Sequence, residues 1–127
     1  MKVLIVDDEP IIADTLVDIL RGEGHESFAV SNGESAIKWV ELLHPDVVVS
    51  DVIMPGMNGV EAAKRILSLC PECRIILFSG QAASVDLLEK ARHEGFEFEV
   101  LAKPINPTLL LKAIDSTGET RKLNVSS

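Results

Sequence analysis

Val47-Val48-Val49-Ser50-Asp51-Val52-Ile53-Met54-Pro55-Gly56-Met57-Asn58-Gly59 is the stretch that decides the fold. Its valine run is bounded by His44-Pro45-Asp46 before and Pro55-Gly56 after. A short unbroken apolar run between turn signals is the pattern of a strand buried on both faces, as in a parallel sheet lying under helices. Asp51 then stands at the carboxyl end of that strand, where ligands and chemistry collect in open α/β sheets. A solvated acid at a strand end is the plain alternative, and the other strand ends discriminate between the two.

Upstream, Lys2 to Val6 reads as a first strand running into Asp7-Asp8-Glu9, and Pro10 suits the first turn of a helix, where its missing N–H is harmless. Ile12, Leu16, Ile19 and Leu20 give that helix an apolar stripe, and Gly22 or Gly24 ends it. Glu26 to Val30 is a weaker strand, followed by the turn Ser31-Asn32-Gly33 and a helix burying Ala36, Ile37, Val40 and Leu43 before Pro45. Downstream of the Asn58-Gly59 loop, a helix buries Val60, Ala63, Ile66 and Leu67. Arg74 to Phe78 forms the fourth strand and ends at Ser79-Gly80. A helix from about Ser84 to Glu94, with Leu88 and Ala91 inward, leads to a fifth strand at Val100 to Ala102. Lys103-Pro104 follows, and Asn106 caps a last helix with Pro107 at its first position and Leu110, Leu111 and Ile114 inward. Strands alternating with helices predict an α/β domain over residues 1–115, a parallel sheet with right-handed crossovers, and a polar C-terminal tail at 116–127.

The 127 residues suffice for one domain with a real core, and 46% apolar with 25% charged residues is globular composition. Twelve basic against twenty acidic residues, a formal charge of −8, argue against a nucleic-acid surface. The apolar run at Val3 to Val6 is too short for a secretory signal, and no run approaches the roughly eighteen apolar residues of a membrane helix, so a cytoplasmic protein is expected. Cys70-Pro71-Glu72-Cys73 invites a redox or zinc reading. Zinc takes about four ligands, however, and neither a second CxxC nor a closely spaced His pair supplies the rest. Two small buried thiols are therefore expected there.

The predicted strand ends carry Asp7 and Asp8, Asp51, Ser79 and Lys103. Each alone has a bland reading as turn or loop chemistry, but all together make a coherent site. Crowded carboxylates need a proton or a cation. Mg2+, a hard ion held by carboxylates and waters, fits, and it would offset charge on a transferring phosphoryl group whose other oxygens Ser79 and Lys103 could bind. Asp51 is then the nucleophile and an acyl phosphate the product.

With Val3-Leu4-Ile5-Val6-Asp7-Asp8-Glu9, the Asp51-to-Gly59 loop, Ser79-Gly80 and Lys103-Pro104 together, the sequence closely resembles the receiver domain of two-component response regulators, in particular the chemotaxis-regulator type. Asn32-Gly33 and the helix from Ile105 to Ile114 extend the match over about residues 1 to 115. The resemblance implies a doubly wound, flavodoxin-like (βα)5 fold of five parallel strands in the order 2-1-3-4-5. It implies that Asp51 accepts a phosphoryl group from the histidine of a sensor kinase. It also implies that Asp8 and Asp51 bind Mg2+ directly, that Asp7 acts mostly through water, and that the backbone carbonyl of Ile53 completes the metal shell. Ser79 and Lys103 would hold phosphoryl oxygens, and Lys103-Pro104 would be cis. The receiver is expected to be a signalling switch rather than an enzyme. A downstream partner is expected on the face of helix four, strand five and helix five, with neither nucleic acid nor membrane as direct partner. A phosphorylation-dependent dimer is also allowed. Leu109, opposite the buried stripe of the last helix, is the candidate contact on that face.

One departure concerns the relay. Where the family usually carries Tyr or Phe three positions before the Lys, this chain has Val100, and Gly95 to Val100 looks one residue longer than usual. Phe98 is the candidate substitute. Three rival readings stand beside the switch. A phosphatase of the haloacid dehalogenase type needs a second Asp two residues after its nucleophile, where this chain has Ile53. A dinucleotide-binding or flavodoxin-like module needs a glycine- or hydroxyl-rich loop after strand one, where Asp7-Asp8-Glu9 would repel phosphate. A receiver that is never phosphorylated and serves as a scaffold is the third, and Val100 is what favours it.

Overall fold

The computed structural model describes residues 1–80 and 82–115, so the polar tail expected at 116–127 lies outside the described residues. The strands are β1 (Lys2–Val6), β2 (Glu26–Val30), β3 (Val47–Asp51), β4 (Arg74–Ser79) and β5 (Glu99–Ala102). The helices are α1 (Pro10–Gly22), α2 (Gly33–Leu43), α3 (Gly59–Leu69) and α4 (Ala82–His93), with α5 helical over 107–115. All pairings are parallel, in the order β2-β1-β3-β4-β5. The expected flavodoxin-like order is therefore the one observed.

Side chains alternate across a strand, and each sheet face has its own core. Val3, Ile5, Val47, Val49, Ile76 and Phe78 face α1 and α5, where Leu16, Leu20, Leu110 and Ile114 meet them. Leu4, Val48 and Leu77 face the other layer, packing with Ala36 and Val40 of α2, Val60, Ala63 and Ile66 of α3, and Ala91 of α4. Every residue of β3 is buried, as its unbroken valines require of a central strand covered on both sides. The edge strands β2 and β5 show mixed exposure instead.

Asparagines start three helices. Asn32 Oδ1 accepts from Ser35 N at 2.8 Å, Asn58 Oδ1 from Glu61 N at 2.9 Å, and Asn106 Oδ1 from Thr108 N at 2.9 Å. Each satisfies an N–H that has no partner in the first turn. Helix α4 departs from expectation: it starts at Ala82 rather than near Ser84. Ser84, expected near the start of the helix, lies inside the first turn and is fully buried. Ile37 and Leu43 are half-buried rather than buried, because α2 turns its closest face, through Ala36 and Val40, onto the sheet.

Candidate functional site

The carboxyl ends of β1, β3, β4 and β5 lie side by side, and the residues flagged in the sequence meet there. Asp7 follows β1 directly and is 4% exposed; Asp51 closes β3 and is 6% exposed; Asp8 is open to solvent. One carboxylate oxygen from each of the three lies within 4.8 Å of the others. Lys103 Nζ donates to Asp51 Oδ2 at 2.6 Å, which sets one cation against three acids.

Backbone geometry holds these groups in place. The Glu9 N–H donates to Asp7 Oδ1 at 2.9 Å, an Asx-type turn that orients the buried acid. The Ile53 N–H reaches Asp51 Oδ1 at 3.4 Å. The loop after Asp51 folds back so tightly that Gly59 N donates to Val52 O at 2.8 Å. A Cβ on Gly59 would stand 2.0 Å from the Asp51 carbonyl oxygen, so the glycine of the Asn58-Gly59 pair is what lets α3 begin against the end of β3. Gly80 does the same for the lysine, since a Cβ there would be 2.7 Å from Lys103 Cβ. Lys103-Pro104 is cis, as the resemblance implied.

The electrostatics follow from crowding. Burial pushes the Asp7 carboxyl above its ordinary value; the Glu9 N–H opposes the shift and the Asp51 charge adds to it. Burial alone would lower the Lys103 ammonium. The hydrogen bond and charge of Asp51, with Asp7 and Glu9 behind it, outweigh that and hold Lys103 above its ordinary value. An all-oxygen acidic cluster with net negative charge suits a hard divalent cation, so the residues present fit Mg2+.

Ser79 sits at the end of β4, but its hydroxyl is engaged with Ser84 Oγ of α4 at 2.5 Å. Beyond it a cleft of ≈ 480 Å³ opens between α4 and β5, lined by Val85, Leu88, Phe96, Phe98 and Val100 among others. Val100 is 42% exposed at its edge, and Phe98 stacks on Phe96 with ring centroids 5.9 Å apart. Sequence reasoning missed the Ser84 partner, whose only signal was its spacing of five from Ser79. It also missed the Glu9 and Ile53 N–H donors, which leave no trace in residue type.

Residues 3–115 match the response regulator receiver domain family. The chain belongs to that family. The receiver domain is 31% identical over 119 residues to the chemotaxis protein CheY of Thermotoga maritima, covering 93% of this chain and 98% of that protein. It is 37% identical over 117 residues to the transcriptional regulatory protein PdtaR of Mycobacterium tuberculosis, covering 90% of this chain and 55% of the relative. The DNA-binding response regulator MtrA of Mycolicibacterium smegmatis is 30% identical over 113 residues, covering 89% of this chain and 48% of MtrA. This chain thus spans nearly all of CheY and about half of the other two. Among solved structures, a receiver domain protein from Clostridium thermocellum superposes with a TM-score of 0.84 at 28% identity, covering 96% of this chain and 97% of the other. Membership makes this receiver domain a module of two-component signalling. Among the described residues no helix is long and apolar enough to cross a membrane.

Proposed function

We propose that this receiver domain is a cytoplasmic phosphorelay switch in which Asp51 takes a phosphoryl group from the phosphohistidine of a sensor kinase. The observation that carries the reading is the convergence of Asp7, Asp8 and Asp51 within 4.8 Å, with Lys103 bonded to Asp51. An oxygen of Asp51 attacks phosphorus as the N–P bond of the donor breaks, and the leaving imidazole takes up a proton. Lys103 Nζ, already at the carboxylate, is placed to move onto a phosphoryl oxygen. Asp7, Asp8, Asp51 and the backbone carbonyl of Ile53 would hold Mg2+, which when bound offsets the negative charge shared by the acids and the incoming group.

Ser79 gives the switch its lever. To donate to a phosphoryl oxygen its hydroxyl must leave Ser84, and Ser84 belongs to the first turn of α4. That ties phosphorylation to the face of α4, β5 and α5 as the output surface. Leu109 of α5 is 54% exposed on the helix whose Leu110 and Ile114 are buried, which suits a partner contact there. With Val100 at the cleft edge, no ring swings inward from that position; Phe98, in the same cleft, is the aromatic available to respond.

The scaffold reading, without phosphorylation, rests on Val100 alone. The test is incubation with acetyl phosphate or phosphoramidate and Mg2+, followed by intact mass. The switch predicts one added phosphoryl mass on the wild type, none on Asp51→Asn, and no catalytic turnover of phosphate esters. An unmodified wild type would favour the scaffold.

A further inference from the structure

The opposite edge of the sheet holds a second convergence of ligand-type side chains. His44 caps α2 just before β3, and Cys70-Pro71-Glu72-Cys73 forms the turn between α3 and β4. The fold brings these two loops together. A ring nitrogen of His44, the Cys70 sulfur and a Glu72 carboxylate oxygen all lie within 4.8 Å of one another. Cys70 Sγ is 3.3 Å from Glu72 Oε1. The Cys73 thiol lies outside this trio, its Sγ standing 3.8 Å from the Arg74 carbonyl oxygen. The turn is closed by Cys73 N donating to Cys70 O at 3.0 Å, so both sulfurs stand on one tight bend.

We propose that His44, Cys70 and Glu72 form a zinc site, separate from the acidic cluster at Asp51. The sequence expectation of buried thiols holds, each being 2% exposed. What linear spacing could not show is that His44 stands beside Cys70 and Glu72. A thiolate, an imidazole and a carboxylate make a three-ligand zinc set, the fourth position being left to water. Ligands about 2.0–2.3 Å from a tetrahedral zinc stand roughly 3.3–3.8 Å from each other. The three donor atoms, already within 4.8 Å of one another, stand near that spacing. His44 and Glu72 are exposed, which gives the ion a way in from solvent, while Cys70 is buried on the inner side. A soft thiolate beside an imidazole favours zinc over magnesium, which prefers oxygen. The Cys70 thiol gives up its proton as the metal–sulfur bond forms. β3 spans its five residues between the two sites, so the zinc lies roughly 15 Å or more from Asp51.

The test is titration of the reduced, chelator-treated chain with Co2+ and then Zn2+. A single equivalent of Co2+ is expected to raise a thiolate-to-cobalt charge-transfer band and the visible bands of a tetrahedral ion, and Zn2+ to erase both. Asp51→Asn should leave the bands intact, which separates this site from the acidic cluster. Cys70→Ser should remove the charge transfer. Because a buried substitution can disturb folding, the exposed His44→Ala and Glu72→Ala provide independent readings, with zinc affinity falling roughly 100-fold when His44 is lost. Absence of thiolate bands in the wild type overturns the site. So does wild-type zinc affinity in both His44→Ala and Glu72→Ala. A reduced chain that shows no cobalt bands yet forms a Cys70–Cys73 disulfide in air would make the pair redox-active instead.

Discussion

Asp7→Asn removes a charge from the acidic cluster while keeping its shape, because an asparagine side-chain oxygen still accepts from the Glu9 N–H. The carboxylates of Asp7 and Asp51 approach within 4.8 Å. At that separation two unit charges repel by roughly 3–4 kcal/mol with an effective dielectric constant of about 20. Attraction to Lys103 returns part of this, since it acts on Asp7 as well as on Asp51. The substitution is thus expected to stabilise the metal-free domain by about 1–2 kcal/mol, a rise in Tm of about 3–10 °C for a chain of this size. The sign with pH follows from the raised value of Asp7. The penalty is fully present above the folded value and vanishes as pH falls through the ordinary carboxyl value, so the gain should be seen at neutral pH and fade in acid. Magnesium should reverse the ranking by stabilising the wild type more than the variant. The assay is urea unfolding in chelator and in excess Mg2+, at neutral and acid pH. A variant less stable than the wild type in chelator at neutral pH would refute the claim that the acids are in net repulsion.

Gly59→Ala places a methyl 2.0 Å from the Asp51 carbonyl oxygen, so it should destabilise by about 1–3 kcal/mol or more and slow phosphorylation, read by urea unfolding and by mass. Ser84→Ala takes a partner from the Ser79 hydroxyl; a stability loss of about 0.5–1.5 kcal/mol with phosphorylation retained is expected in parallel unfolding and mass measurements. The Cys73 thiol is pushed up to about 12, chiefly by burial. It should therefore stay protonated and resist iodoacetamide in the native metal-free protein at about pH 8, reacting only after unfolding. Leu109→Glu should leave the unfolding curve unchanged within about 0.5 kcal/mol and abolish pull-down of the downstream partner by the phosphorylated domain.

What could be read from the residues was whatever periodicity or turn chemistry encodes. Val47 to Val49 announced a central strand, Pro10 and Asn106 marked helix starts that the structure places within a residue or two, and the turns at Asn32-Gly33 and Asn58-Gly59 lead straight into α2 and α3. The site was legible because Asp51 and Ser79 end a strand and Asp7 and Lys103 directly follow one, and parallel strands bring their carboxyl ends to one edge. Three things stayed hidden. The start of α4 was misplaced because Ser84, which reads as a helix-start residue, is instead buried within the first turn and bonded across to β4. The backbone donors to Asp7 and Asp51 depend on local chain direction and not on side-chain identity. His44 and Glu72 come from different loops, and only the sheet register brings them together.

The central claim is that Asp51 is the residue that becomes covalently phosphorylated. An acyl phosphate is reduced by borohydride to leave homoserine at the modified position. After treatment with acetyl phosphate and Mg2+, borohydride reduction and peptide mapping should place homoserine at position 51 alone. Homoserine at position 7 or 8, or none anywhere in the chain, would contradict it.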